Sequence, residues 1–493
     1  MPTSLPPTKR VSGDSKRQSL PRALKKRLLP LSGLRSAGAA SSLLVDDGPA
    51  TQVHSFQSLF APLLPGTPGR ECVLELMMSA SLLENKILKY DVQRVREDFP
   101  LLHQPVHGKP LVYLDNANTT QKPQVVLDAI SHYYTHHNAN IHRASHWLGE
   151  QATQAYEGAR AKVGVFLNTR QTEEIIFVRN ATEGINLVAQ TWGRANVQAG
   201  DEILVSAMEH HANIVPWQML CAEKGATLKV IPITDSGELC LDEYARLLTP
   251  KTKLVGIVHM SNALGTINPV RMMIEQAHAL GIPVLVDAAQ SAYHRGIDVQ
   301  AMGCDFLVFS GHKLYGPTGI GVLYGRRELL DAMPPYQGGG DMILSVTFDK
   351  TVFNDVPHKF EAGTPHIEGA VGLGAAIDYL TTLGMDNVAA YEGGLMAYGT
   401  ELLSQMDGLR MIGTARDKAS VFSFVLDWAH AQDVGAILDM HAVAVRVGQH
   451  CAHPVMQRFG VSSTVRASLG CYNTSDEIDA LVRGLASARR MLA

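Results

Sequence analysis

From residue 174 onward the chain repeats one pattern, a short apolar run followed by a longer stretch with helical spacing. The runs are Glu174 to Val178, Glu202 to Val205, Thr227 to Ile231, Lys253 to Val258, Ile282 to Val286 and Asp305 to Phe309. Between them, Thr182 to Gln190, Asn213 to Lys224 and Val270 to Leu280 read as helices. The runs are apolar on successive residues and do not alternate with polar ones, so both faces of any sheet they form must be covered. Repeated strand–helix order meets that demand with a mostly parallel sheet carrying helices on each side, which defines an α/β domain.

The pattern changes on either side of this region. Upstream, Asp91 to Asp98 reads as a short helix stopped by Pro100, Leu111 to Leu114 as a strand, and Pro123 to His137 and Leu148 to Leu167 as helices. Downstream of Gln337-Gly338-Gly339-Gly340 come helices Ile367 to Leu383 and Asn387 to Met406, strands Val421 to Leu426 and Val443 to Val447, and a closing helix from Ser475 to Leu492. At 493 residues the chain exceeds what one core usually serves. The expected division is a basic extension over 1–85, a segment 86–106 packing with the smaller domain, a large domain over 107–350, and a smaller α+β domain over 351–493.

Apolar residues make up 46% and charged residues 18%, with a net charge of −4, so neither nucleic acid nor a membrane is expected as a partner. Cys72, Cys221, Cys240, Cys304, Cys451 and Cys471 are scattered without a CxxC pair. That argues against a disulfide framework or a structural zinc site and for a reducing compartment, the cytoplasm. The first 45 residues hold nine Lys/Arg and one acid, Asp14. Leu20 to Arg35 could form a basic amphipathic helix interrupted at Pro30, as in a plastid or mitochondrial transit peptide. The blander readings are a disordered tail, or an upstream start codon with the working start near Met77 or Met78.

Two segments carry the clearest chemistry. Asp287-Ala288-Ala289-Gln290 follows one apolar run and Ser310-Gly311-His312-Lys313 follows the next. In a parallel sheet both emerge at one edge. An acid, an amide and a lysine meeting there suit pyridoxal phosphate, which needs a lysine to hold it and an acid to keep its ring nitrogen protonated. Lys313 sits in a glycine-bounded turn directly after a buried run, a poor place for a solubilising lysine. Ser310 and His312 could contact phosphate. Asn180-Ala181-Thr182-Glu183-Gly184 follows a strand and opens a helix, which makes it either an anion site or an ordinary N-cap. Glu209-His210-His211 offers adjacent imidazoles. Consecutive residues rarely face one ion, so no metal is expected, and an imidazole stacked on a cofactor ring fits better. Gly448-Gln449-His450-Cys451-Ala452-His453-Pro454 is a loop whose cysteine could be a zinc ligand, a buried thiol or a nucleophile; the flanking glycine and proline disfavour burial. Arg466 is either a surface charge or a carboxylate clamp.

Taken in order, these segments resemble the SufS-type (group II, NifS-like) cysteine desulfurases, class-V members of the fold-type I pyridoxal phosphate enzymes. The resemblance covers Tyr90 to Ala493. It rests also on Leu114-Asp115-Asn116-Ala117, Asn140-Ile141-His142-Arg143, Ser261-Asn262-Ala263-Leu264-Gly265-Thr266 and Phe360-Glu361-Ala362-Gly363-Thr364-Pro365. It implies that Lys313 links to pyridoxal phosphate, that Asp287 and Gln290 bind the ring, and that His210 stacks on it. Ala181, Thr182, Ser310 and His312 would hold the phosphate, joined by Thr364 from a second copy in a homodimer. Asn262, Arg466, Arg446 and His142 would bind the substrate, L-cysteine. Cys451 would accept its sulfur as a persulfide, leaving alanine, and pass it to a SufE-like acceptor and a SufBCD-type iron–sulfur scaffold. Selenocysteine lyase and cysteine sulfinate desulfinase activities use the same residues, and a non-catalytic scaffold on the same fold is the remaining alternative. Two positions depart from the usual pattern, Gln449 for a histidine and Asn118 for an alanine.

Overall fold

The computed structural model describes residues 90–493. They belong to one compact unit. The readings made on 1–85, Cys72, Met77 and Met78 included, lie outside the described residues.

Seven strands form the main sheet: β1 (Ile175–Val178), β2 (Glu202–Ser206), β3 (Thr227–Ile231), β4 (Thr252–Val258), β5 (Val284–Asp287), β6 (Phe306–Ser310) and β7 (Gly321–Gly325). Their order is β1-β7-β6-β5-β4-β2-β3. Strands β2 to β6 pair in parallel, and β7 runs antiparallel between β6 and β1. The absence of polar alternation has its cause in the two apolar layers. Ile175, Phe177, Val284, Val286, Leu307 and Phe309 enter one core. Their neighbours Ile176, Val178, Leu285, Phe306 and Val308 enter the other. Helix α1 (Trp147–Leu167) belongs to the first layer, and α2 (Ala181–Val188) with α3 (Val215–Lys224) to the second. Because β1, β2, β4, β5 and β6 run the same way, the loops after all five leave at one edge, where ligands bind in open α/β sheets.

Strand β7 is not among the sequence-expected elements. It has only five residues, bounded by glycines, and no helix of its own. A Cβ at Gly321 would lie 2.6 Å from Asn180 Cα and 2.8 Å from the Phe309 carbonyl, so the close seating of β7 on the turn into α2 requires glycine.

Four strands of the C-terminal part, β10 (Leu409–Met411), β11 (Val421–Leu426), β12 (Arg446–Gly448) and β13 (Thr464–Ser468), form an antiparallel sheet in the order β10-β11-β13-β12. Phe422, Phe424, Val465 and Ala467 pack it against helices over Met385–Ser404, Ala431–Met440 and Ser475–Leu492. The single strand expected over Val443 to Val447 is two: Val443–Ala444 pairs in parallel with Val112–Tyr113, and β12 pairs with β13. The chain crosses at Val445 from one partner to the other. The segment from residue 90 reaches the C-terminal part, with Tyr90 Oη donating to the Cys471 carbonyl (2.8 Å) and Arg96 Nη1 to the Tyr472 carbonyl (2.7 Å). Between the two sheets in sequence, β8 (Ile343–Val346) and β9 (Thr351–Phe353) make a hairpin joined by residues 347–350. No helix of the described residues is long and apolar enough to cross a membrane.

Candidate active site

Asp287 ends β5 and is 3% exposed. Burial pushes its carboxyl upward, against the backbone N–H of Ala289, which donates to Oδ1 (2.9 Å), and the charge of Lys313. Lys313 closes a single turn, Gly311–Lys313, directly after β6. Burial pushes its ammonium down to about 8, while Asp287 opposes that shift. Lys313 thus exchanges a proton near neutral pH, as a base or nucleophile must.

Sequence reasoning missed the support beneath this lysine. The carbonyl of His312 accepts from Lys122 Nζ (2.8 Å), Thr119 Oγ1 (3.0 Å) and the Thr120 N–H (3.2 Å). Burial pushes Lys122 down to about 7. Nothing in its local sequence sets it apart from a solvated lysine.

At one end of the site, Gln290 Nε2 donates to the Ala117 carbonyl (2.6 Å) and Tyr293 Oη donates to Gln290 Oε1 (3.1 Å). His210 Nδ1 accepts from the Ala212 N–H (3.1 Å), so its ring proton sits on Nε2. Burial, then Lys313, His211 and Arg466, hold this imidazole down at about 4. It presents a neutral aromatic face. At the other end, the Asn180 side chain caps α2 by accepting from the Glu183 N–H (2.9 Å). The Ala181 N–H donates to Ser310 Oγ (2.9 Å), and burial keeps His312 neutral, down at about 4. A cavity of ≈ 190 Å³ is lined by Asn118, Ala181, Thr182, His210, Asn262, Asp287, Gln290, Ser310, His312 and Lys313, among others.

Arg446 and Arg466 face each other on β12 and β13. Asp115 reconciles the two cations, at 2.8 Å from Arg446 Nη2 and 3.5 Å from Arg466 Nη2. Arg466 is buried, donates from Nη1 to the Asn262 carbonyl (2.9 Å), and has an Nε without a partner; Asn262 Oδ1 is also buried and unpartnered. A cation and an amide with unused polar atoms fit a carboxylate.

Cys451 is exposed. It lies between β12 and a short helix, His453–Arg458, on backbone held in the left-handed region at His450 and Cys451 (φ 53° each). Its carbonyl accepts from the His211 N–H (2.9 Å), and the His450 carbonyl accepts from Asn262 Nδ2 (2.6 Å). The loop is thereby tied to two of the loops that frame the cavity. Burial and Arg466 push His450 down to about 3, so it is a neutral partner of Thr464 Oγ1 (2.8 Å).

Arg446, Arg466 and Cys451 are not among the residues lining the Lys313 cavity, and two further expected residues lie elsewhere. Thr364 lines cavities of ≈ 300 and ≈ 240 Å³ that Lys313 does not reach. The His142 ring lies between Glu157 (2.9 Å) and Asp341 (3.3 Å). Neither borders the Lys313 cavity within one chain.

A seven-stranded sheet of this order, with a buried acid after β5 and a buried lysine after β6, defines a fold-type I pyridoxal phosphate enzyme. The donor set fits that cofactor: an acid at one end, a lysine at the middle, and the helix start with Ser310, Thr182 and His312 for a phosphate. Residues 112–481 match the aminotransferase class-V family, and the chain belongs to it. A cysteine desulfurase of Synechococcus elongatus is 55% identical over 396 residues, which are 80% of this chain and 63% of that relative's length. One from Klebsiella pneumoniae is 52% identical over 406 residues, 82% of this chain and 100% of the relative. Among solved structures, the Escherichia coli cysteine desulfurase CsdA superposes with TM-score 0.77 at 38% identity, covering 82% of this chain and 100% of that one.

Proposed function

We propose that the chain is a cysteine desulfurase that takes sulfur from L-cysteine as a persulfide on Cys451 and releases L-alanine. The observation that carries the reading is the meeting, at one sheet edge, of a buried proton-exchanging Lys313 with an exposed Cys451 whose loop is hydrogen-bonded to Asn262 and His211. Pyridoxal phosphate, held by Lys313, Asp287, His210 and the α2 start, supplies the electron sink for negative charge at the substrate Cα. Arg466 and Asn262 hold the substrate carboxylate. The Lys313 amine takes the Cα proton and later returns one to the carbon fragment. The Cys451 thiolate attacks the substrate sulfur: its bond to Cβ breaks, a sulfur–sulfur bond forms on Cys451, and the carbon fragment leaves as alanine.

Relatives under the same name support the activity, and the shortness of the Cys451 loop supports a docked acceptor, since such a loop cannot carry sulfur far. The acceptor in this reading is SufE-like, ahead of a SufBCD-type scaffold. The five described cysteines are all free, which suits a reducing compartment, the cytoplasm. The test is alanine release from L-cysteine with a reducing acceptor present. Cys451→Ser should abolish the persulfide seen by mass spectrometry and cut turnover by about 10² or more. Undiminished alanine release from that variant sinks the persulfide role. Rates on L-cysteine, selenocysteine and cysteine sulfinate, compared on one preparation, rank the three activities this site could serve.

A further inference from the structure

Outside the Lys313 cavity, three side chains far apart in sequence meet with metal-ligand chemistry. One ring nitrogen each of His142 and His358 and one oxygen of Asp341 all lie within 4.8 Å of one another. We infer that these three residues bind a divalent zinc-class cation.

The spacing within the cluster is one that a bound ion would also produce. His142 Nδ1 and Asp341 Oδ2 are 3.3 Å apart. A charge-assisted N–H···O bond prefers about 2.7–2.9 Å. Two ligands at tetrahedral zinc, with bonds near 2.0–2.1 Å, stand about 3.3–3.4 Å apart. The other nitrogen of His142 is already committed, because Nε2 donates to Glu157 Oε1 (2.9 Å) and Glu157 is itself held by Arg160 Nε (2.9 Å). A carboxylate behind a histidine is the support that metal-bound imidazoles almost always have, and it leaves Nδ1 facing the cluster. His358 Nδ1 is buried with no hydrogen-bond partner, so that ring carries an unmet polar demand. His142 and Asp341 both hold left-handed backbone (φ 66° and 69°), and the His142 N–H is pinned by Thr153 Oγ1 (2.9 Å). Two imidazoles with one carboxylate suit zinc and not calcium or magnesium, which take oxygen ligands. The fourth position is left to water.

The ion would clasp the 140–143 loop, the glycine-rich segment before β8 and the His358–Phe360 turn, which runs on to Thr364. This inference gives His142 a role other than the substrate contact that the resemblance implies, and departs from the sequence expectation of no metal, which came from spacing alone; residues 142, 341 and 358 have no spacing signature.

The test uses the full chain carrying Cys451→Ser, so that the exposed thiol cannot capture metal, freed of metal by a chelator and titrated with Co²⁺ alone. One equivalent should bind with the strong visible absorption of four- or five-coordinate cobalt, and Zn²⁺ should displace it. His358→Gln should abolish this signal, and Glu157→Gln should weaken binding about ten- to hundredfold. Asp341→Asn is expected to lose the signal too, and decides the matter where His358→Gln does not fold. No saturable binding, or binding unchanged by both ligand substitutions, overturns the proposal. So does a signal that disappears with His453→Gln, which would move the ion to the pair in which His453 Nδ1 lies 2.9 Å from His211 Nε2.

Discussion

At the scale of single residues, function depends on burial more than on residue type. A lysine in water holds its proton to above 10, but Lys313 is pushed down to about 8 because its ammonium has lost most of its hydration. The sign follows directly. Below about 8 the amine is protonated and inert, and above it the amine is neutral and able to capture the cofactor or take a proton. In protein stripped of cofactor, the rate of pyridoxal phosphate capture should therefore rise about tenfold per pH unit below 8 and level off above it. Stopped-flow absorbance across pH 6 to 10 reads this, and a rate still climbing at pH 10 would show an unshifted lysine. His210 and His312, held near 4, stay neutral throughout that window and add no break of their own, whereas Lys122, down at about 7, titrates within it. Asp287 is legible in the sequence because it ends an apolar run, and Lys313 because it sits in the glycine-bounded turn that follows the next one. Lys122 is not, because its contact with the His312 carbonyl joins positions 190 apart, and nothing local distinguishes it from a solvated lysine.

At the scale of elements, the same contrast holds. Runs buried on both faces were readable, and β3 (Thr227–Ile231) coincides with its expected span, as do the helices Ile367–Leu383 and Ser475–Leu492. Strand β7 escaped because its five residues carry no pattern apart from tertiary pairing, and the split at Val445 escaped because an apolar run does not reveal which of two partners it serves. A further feature set only by tertiary structure is the buried ion pair that fixes the turn before Thr364. Glu361 accepts from Arg160 Nη1 (2.6 Å) and Nη2 (2.8 Å), Tyr156 Oη (2.9 Å) and the Phe177 N–H (2.7 Å), so one carboxylate joins α1, β1 and this turn. Removing it leaves a buried guanidinium with Glu157 as its one carboxylate partner and the Ile175 carbonyl as its other acceptor. Glu361→Ala should lower stability by about 3 kcal/mol or more. The shift in urea midpoint measures it, and a loss below about 1 kcal/mol would mean that Glu157 alone suffices.

At the scale of the whole molecule, the placement of Thr364 makes a sharp demand. It borders cavities that Lys313 does not reach, while the resemblance assigns it to the phosphate. Both hold if a second copy brings its own Thr364 to this chain's α2 start. The hairpin β8–β9 carries exposed Leu344, Val346 and Phe348, apolar surface of the kind that a neighbouring copy would cover. In such a homodimer each site draws Lys313 from one copy and Thr364 from the other. Two defective chains can then repair one another. A Lys313→Ala chain is inactive in its own site but supplies an intact Thr364, and a Thr364→Ala chain supplies an intact Lys313. Mixed dimers contain one site with both residues intact and one site with neither. Co-expression of the two variants, with different affinity tags to isolate the mixed dimer, should restore about half the wild-type desulfurase rate per dimer. Each variant alone should stay far below that. If the mixed dimer is no more active than the better of its parents, Thr364 acts within its own chain or not at all, and the cavity around Lys313 must close its phosphate end with residues of a single copy.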